Sequence, residues 1–151
     1  MSAKTFESLE VGQHWQSTGR TLTEADLTLA CMTSGDWHPI HADADFAGGS
    51  LGGQRIFQGT YGLHVAMALA TRFPDLGDGV IGALGLSDWR YQAPIFIGDT
   101  VHVEVEITSK RVTSNRSRGL VERRITLKKA DGSIAQQGTA LMMARCAREA
   151  A

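Results

Sequence analysis

The sequence is poor in the features that mark secreted, membrane-spanning and nucleic-acid-binding proteins. Its 151 residues include two cysteines and three prolines, and two cysteines are too few for the disulfide framework of a small secreted domain. No apolar run approaches the roughly 20 residues that span a bilayer, and no signal-peptide core follows the N-terminus. The formal net charge is −1, which favours neither nucleic acid nor a membrane as partner. From these absences we expect a cytoplasmic protein.

The composition is that of an ordinary globular domain. Hydrophobic residues make up 42% of the chain and charged residues 21%, which is enough apolar material for a core. No repeat, linker or low-complexity stretch divides the chain. We therefore expect residues 1–151 to form one domain.

Two helices with an irregular segment between them are predicted in the first half. Thr23 and Asp26 have the spacing of a capping box, so a first helix should begin near Thr23 and end at Ser34-Gly35. A second helix, from about Thr60 to Arg72, is apolar on nearly every side, which is typical of a buried helix. The glycine-rich residues 35–58 show no sustained period, and a loop of that length is usually functional.

The second half is predicted to form antiparallel strands. Apolar and polar residues alternate strictly from Val101 to Thr108, and Asp131-Gly132 is a strong hairpin signal. The predicted strands are His14–Ser17, Val80–Tyr91, Val101–Thr108, Leu120–Lys128 and Ile134–Ala144. A sheet curled around one apolar helix fits this order with a single core. The alternative is an open α+β sandwich with helices on one face.

The residues with the clearest chemical potential lie in the irregular segment. Asp36, His38 and His41 place a carboxylate and two imidazoles within six residues. Pro39 fixes its own φ and favours an extended His38. A constrained loop holding a carboxylate beside an imidazole suits proton transfer.

Two other interpretations of the same residues stay open. Asp36 could cap a turn while His41 is a structural histidine, and spacing alone favours that interpretation. His38 and His41 could instead bind a metal together with Asp36, Asp43 or Asp45, although this spacing is not a specific ligand signature.

A family resemblance strengthens the catalytic interpretation. The segment resembles the signature of the MaoC-like hydratases, the (R)-specific enoyl-CoA hydratase family, in which Gly-Asp-x-Asn-Pro-x-His precedes Asp and Phe-Ala. The matching residues are Gly35-Asp36, Pro39-Ile40-His41, Asp43 and Phe46-Ala47. Further matches lie at Leu9–Gly12, Arg55–Gly59 and Tyr91–Thr100, so the similarity spans most of the chain.

Three positions depart from the family pattern. His38 stands where the family usually has Asn, Gln58 where it often has His, and Met67 where it often has Ser. None of the three is one of the two family catalytic residues. The departures at His38 and Gln58 bear on the substrate and on hydrogen bonding around the reacting water molecule, and Met67 removes a polar contact in the buried helix.

The resemblance implies a fold, a reaction and a set of site residues. The fold would be the α+β hot-dog, a long helix wrapped by a curved antiparallel sheet, paired as a homodimer or a multiple of dimers. Asp36 and His41 would add water to the 2-enoyl group of an acyl-CoA, giving an (R)-3-hydroxyacyl-CoA, or remove it again. Because the metal-ligand signature is poor, we also expect no metal or other cofactor. The N–H of Gly59, at the start of the buried helix, is a candidate oxyanion donor. The candidate substrate-binding residues are Trp37, His38, Gln58 and Tyr61.

Two rival functions share this chemistry. A hot-dog thioesterase would cleave a similar substrate, and a non-catalytic acyl-CoA-binding subunit would only hold it. Eight of the 15 Lys and Arg residues lie between Lys110 and Lys129. The loop from Arg111 to Arg118 could meet the phosphates of coenzyme A, although such residues are more often solvated positions on strands and turns.

Overall fold

A computed structural model describes residues 5–114 and 116–147. The helices are α1 (Glu24–Ser34), α2 (Pro39–Ala42), α3 (Ala44–Gly48) and α4 (Gly59–Ala70), with 3-10 turns at Phe6–Ser8 and Gly77–Gly79. The strands are β1 (His14–Gln16), β2 (Arg20–Thr21), β3 (Val80–Tyr91), β4 (Thr100–Val112), β5 (Arg118–Lys129) and β6 (Ile134–Arg145). Every predicted strand is therefore confirmed. The two-residue β2 was not predicted.

The strands form one antiparallel sheet that supports α4. Their order is β1-β4-β5-β6-β3, with β2 also paired to β4. The alternation predicted for β4 is confirmed, because Val101, Val103, Val105 and Ile107 are fully buried. The helix α4 packs against β4, β5 and β6, and its Val65 lies in the core beside β4. The curled-sheet prediction is thus confirmed over the open sandwich.

The helix α4 is less enclosed than its sequence predicted. Gly62, Val65, Ala66 and Ala70 are buried. Thr60, His64 and Ala68, spaced four residues apart on one side of the helix, are exposed. The sheet covers one side of α4, and the chain leaves this stripe open. Across the described residues, no helix combines the length and apolar character needed to cross a bilayer.

The segment from Gly35 to Gln58 is more ordered than predicted, because it contains α2 and α3. His38 caps α2 through its side chain and Pro39 occupies the first helical position, where a missing N–H is no loss. Asp43 caps α3 by accepting the N–H of Phe46 at 2.9 Å. Short-range capping thus orders a stretch in which no hydrophobic period was visible.

The helix α1 follows its sequence signals. The backbone N–H of Thr23 donates to the Asp26 carboxylate at 2.8 Å, and Leu22 and Leu27 are buried in the core on either side of this cap. Gly35 ends the helix in a left-handed conformation with φ of 72°. This ending places Asp36 just beyond the last turn of α1.

The strand β3 is an edge of the sheet with an open apolar surface. Ten of its twelve residues are exposed, among them Val80, Ile81, Leu84 and Leu86, whose exposed fractions are 44–50%. An exposed apolar edge strand of this length is a surface on which another chain can pair.

Candidate active site

His41 is held in one orientation beside Asp36. Its side chain is buried, and its Nδ1 lies 2.7 Å from the carbonyl oxygen of Ile56. Because a carbonyl only accepts hydrogen bonds, Nδ1 carries the proton and donates it. The other ring nitrogen, Nε2, lies 3.6 Å from Oδ2 of Asp36. That separation is too long for a good hydrogen bond, so both atoms are available to a third molecule.

The turn that carries Asp36 is fixed by short-range hydrogen bonds. The Asp36 N–H donates to the Ser34 hydroxyl at 3.1 Å, and its Oδ1 accepts the N–H of His38 at 3.1 Å. This arrangement directs Oδ2 towards His41. The Asp36 side chain is 49% exposed, so the carboxylate is open to solvent on one side.

Gly59 begins α4 in the cavity that His41 also lines. The residues lining this cavity of about 330 Å³ include His41, Phe57, Gly59, Tyr91, Ile95 and Gln136. The N–H of Gly59 has no acceptor among the residues that the structure describes, as expected at the first position of a helix. A Cβ at Gly59 would come within 2.7 Å of the Tyr91 ring. A side chain at this position would have to displace the Tyr91 ring, so glycine lets the backbone and the ring line the cavity together.

Gln58 is hydrogen-bonded to the segment that carries Asp36 and His41, the two residues that form the candidate dyad. The residue is 4% exposed, and its Nε2 donates to the Asp36 carbonyl at 3.2 Å and contacts Sγ of the buried Cys31 at 3.2 Å. Its Oε1 is buried without a partner among the described residues. The sequence suggested a substrate contact at this position, whereas the structure places the Nε2 donor on the protein's own backbone.

Tyr61, another predicted substrate-binding residue, faces a second cavity of about 460 Å³ between α1 and α4. Its hydroxyl donates to Asp26 at 2.9 Å, and its ring stacks on Phe57 with centroids 5.4 Å apart. Burial, followed by the hydrogen bond to the Asp26 carboxylate, raises the pKa of the Tyr61 phenol. Gln58 also lines this cavity, so the Gln58–Gly59 segment separates the two.

Trp37 and His38 lie outside both cavities. The Trp37 side chain is 54% exposed. The exposed His38 accepts the Ile40 N–H on Nδ1 at 3.2 Å and stands edge-on to His41, with ring centroids 6.3 Å apart. In a single chain, neither residue lines the cavity that His41 and Gly59 share.

The structure also bears on the metal and phosphate alternatives. Among residues 5–114 and 116–147, no three His, Cys, Asp or Glu side chains form a group that could hold a metal ion. Arg123, one of the late basic residues, is buried and donates to the Phe73 carbonyl at 2.7 Å. Burial lowers the pKa of this guanidinium. Arg123 therefore supports the core and is not available to a phosphate.

The basic loop lies far from His41 within one chain. Gln136, beside the cavity, pairs with Leu127, whereas the loop begins beyond the pair Val112–Gly119. Eight residues of strand separate Leu127 from Gly119, which is roughly 26 Å at about 3.3 Å per residue. A phosphate at that loop would be remote from this chain's own dyad.

Sequence patterns did not identify Gln136 and Tyr91 as parts of the site, nor the contact of Trp89 with Gln136. Gln136 lies on β6, is 2% exposed and donates to the Gly59 carbonyl at 2.9 Å. The indole Nε1 of Trp89 donates to Oε1 of Gln136 at 2.9 Å. These residues approach Gly59 through the sheet, and no spacing along the chain signals that approach.

Comparison with known proteins identifies relatives of this chain. The model of the MaoC-like domain matches residues 7–129. Protein MaoC of Klebsiella aerogenes is 34% identical over 115 residues, covering 76% of this chain and 33% of that protein. The chain thus spans about a third of that relative. An (R)-specific enoyl-CoA hydratase of Rhodospirillum rubrum is 33% identical over 104 residues, covering 68% of this chain and 69% of that protein.

Solved structures share the fold. A protein from Archaeoglobus described as a monoamine oxidase regulatory protein superposes with a TM-score of 0.88 at 26% identity, covering 97% of this chain and 99% of that one. A Mycobacterium tuberculosis protein described as a double hot-dog superposes with a TM-score of 0.82 at 19% identity, covering 99% of this chain and 46% of that one. The fold of the chain is therefore the α+β hot-dog, as the resemblance implied.

Proposed function

Since the chain belongs to the MaoC-like domain family, we propose that it adds water to a 2-enoyl-CoA and removes it from the matching 3-hydroxyacyl-CoA. The observation that carries the proposal is the opposition of His41 Nε2 and Asp36 Oδ2 across 3.6 Å. Both groups can contact one water molecule placed between them. The name of the R. rubrum relative supports an R configuration for the hydroxyl product.

The reaction needs two proton transfers, and the dyad can supply both. In hydration the water oxygen bonds to the β-carbon of the enoyl group, one of its protons passes to the dyad, and the α-carbon receives a proton from the dyad. Dehydration reverses these steps. Closely coupled groups titrate as a pair, so the acid and base roles are assigned to Asp36 and His41 jointly.

The charge that develops on the thioester oxygen needs a donor, and Gly59 supports that role. Its N–H is unpaired among the described residues and lies at the positive end of α4, in the cavity that His41 lines. Donors of this kind stabilise the enolate in the transition state, and removal of one typically lowers the rate by about 10²–10³-fold.

We place the functional unit at the level of a homodimer or a multiple of dimers. The strand β3 leaves an apolar edge open, and α4 leaves Thr60, His64 and Ala68 uncovered. A second copy related by twofold symmetry would cover such surfaces. Trp37 and His38, which lie outside this chain's cavities, stay proposed substrate contacts in that assembly. A cytoplasmic location stays a prediction from the sequence.

A steady-state assay with crotonyl-CoA tests the proposal against its rivals. Hydration removes the absorbance of the conjugated enoyl-thioester without releasing a thiol, and chiral analysis should give the R product. Release of free coenzyme A at the rate of substrate loss would identify a thioesterase. Binding without turnover would identify a non-catalytic subunit.

A further inference from the structure

A chain of two partly buried hydrogen bonds, centred on the buried Gln136, connects the edge strand β3 to the start of α4. The indole Nε1 of Trp89 donates to Oε1 of Gln136 at 2.9 Å. Nε2 of the same amide donates to the Gly59 carbonyl at 2.9 Å. In a regular helix that carbonyl already accepts an N–H from the next turn, so the amide is not required to satisfy the backbone.

Two glycines, Gly62 and Gly138, leave room for this hydrogen-bond chain. A Cβ at Gly62 would come within 2.1 Å of Gln136 Nε2, and a Cβ at Gly138 would come within 2.5 Å of the Trp89 ring. Both clashes involve atoms of the chain itself. The space that Gln136 and Trp89 occupy therefore exists because residues 62 and 138 are glycine.

A local change in β3 turns Trp89 inward. The pairing register of β3 with β6 shifts between Ser87 and Arg90, and Asp88 takes a left-handed conformation with φ of 52°. Trp89 and Gly82 are the two residues of this twelve-residue strand that are half-buried. A bulge that re-aims one side chain is a common device beside functional sites.

We propose that Gln136 and Trp89 are positioning residues that hold the first residue of α4 in the orientation its N–H needs to reach a thioester oxygen. Glycine has no side chain to limit its φ and ψ, so Gly59 depends on neighbours to fix its direction. The Gln136 amide holds the Gly59 carbonyl by its hydrogen bond, and the Trp89 indole in turn holds the Gln136 amide. The inference rests on the proposed function and assigns the support of its oxyanion donor.

The test measures directly how strongly the protein polarises the thioester carbonyl of a bound ligand. Asp36→Asn should block turnover, so this variant can bind 2,4-hexadienoyl-CoA, whose absorbance moves to longer wavelength when its carbonyl is polarised. Adding Gln136→Met should at least halve that shift while the Kd changes less than about threefold. In the active enzyme, Gln136→Met should lower kcat about tenfold with KM nearly constant, because a small displacement of the donor weakens transition-state binding.

Two further variants separate positioning from general stability. Gln137→Met removes the neighbouring amide of β6, whose Nε2 donates to the Thr126 hydroxyl of β5 at 2.7 Å, and it should leave the absorbance shift and kcat unchanged. In Gln136→Glu, an ionised carboxylate repels the Gly59 carbonyl, whereas the protonated acid can donate to it. Its kcat relative to the parent should therefore rise as the pH falls.

Each outcome decides the question. A folded Gln136→Met variant with an unchanged absorbance shift and kcat overturns the proposed positioning role. An equal loss of shift and kcat in Gln137→Met overturns it too. If Gln136→Met does not fold, Trp89→Phe, which removes only the terminal donor, is measured in the same way and should give about a threefold loss of kcat. Absence of any shift in the Asp36→Asn parent would instead refute carbonyl polarisation, and with it the proposed function.

Discussion

The two halves of the candidate site are supported in opposite ways. The turn that carries the Asp36 carboxylate is fixed by hydrogen bonds close in sequence, since Asp36 bonds Ser34 and His38 across two residues each. The start of α4 is fixed by distant residues, since Gly59 receives its hydrogen bond from Gln136, 77 positions away. The first half is also exposed at its carboxylate, whereas Gln136, which supports the second half, is buried.

Because of this difference, substitutions in the two halves should have different effects on catalysis and on stability. A change in the dyad segment removes a reacting group while most of the fold stays as it was. A change around Gly59 disturbs the packing of α4, β3 and β6 together. Substitutions in the first half should therefore lower kcat with little change in the free energy of unfolding, whereas substitutions in the second half should lower both.

The largest expected effect is loss of the dyad. Asp36→Asn and His41→Ala should each lower kcat by about 10³–10⁴-fold, because each removes a proton-transfer group. Asn at position 36 can still accept the His38 N–H, so its free energy of unfolding should stay within about 0.5 kcal/mol of the parent. Steady-state hydration and thermal unfolding measure the two quantities.

The double variant sharpens this prediction. Residues that act as a unit are strongly non-additive, so the Asp36→Asn, His41→Ala protein should be little slower than the slower single variant. Near-normal kcat in either single variant would refute the mechanism.

The next effect concerns the other half of the site. In Gly59→Ala the new methyl would lie 2.7 Å from the Tyr91 ring, so both kcat and stability should fall, by about 10²-fold and about 1–3 kcal/mol. Gly48→Ala is the control, because no described atom lies within 4 Å of a Cβ there. Tyr91→Ala in the Gly59→Ala background should restore part of the stability, and failure to do so would contradict this account of the clash.

A smaller effect is expected from breaking the assembly. Leu84→Lys with Leu86→Lys places two charges on the β3 edge and should turn a dimer into a monomer, as sedimentation equilibrium can show. Activity should fall about tenfold, because β3 also carries Trp89 and Tyr91 beside Gly59. Val11→Lys, at a position that is 61% exposed, should change neither. An active parent with the mass of one 16.3 kDa chain would refute the dimer.

Removal of metal ions should have no effect. A carboxylate and an imidazole can transfer protons without a metal, and His41 uses Nδ1 to donate to the Ile56 carbonyl. Exhaustive chelation should leave kcat unchanged. Loss of activity that added zinc restores would show that His38 and His41 are metal ligands.

The same contrast explains how far the sequence could be interpreted. Asp36, Pro39 and His41 form a local pattern, so these residues and the constraint on their segment could be predicted from their order in the sequence. The contact of His41 with the Ile56 carbonyl, 15 residues away, could not. The strand β4 was visible because burial alternates along it. The helices α2 and α3 were missed because side-chain caps order them without a hydrophobic period. Gln136 was missed because only the pairing of strands brings it to Gly59.

Because Gly62 has no Cβ, positions 62 and 136 should be coupled in the evolution of this sequence. A methyl at position 62 would overlap the amide of Gln136, so residue 62 cannot gain a side chain unless Gln136 moves or is replaced. Descendants that acquire alanine at position 62 should already carry a shorter residue at position 136. Such lineages would have to orient Gly59 by another contact, and the helix start would then diverge while the Asp36–His41 motif stayed the same.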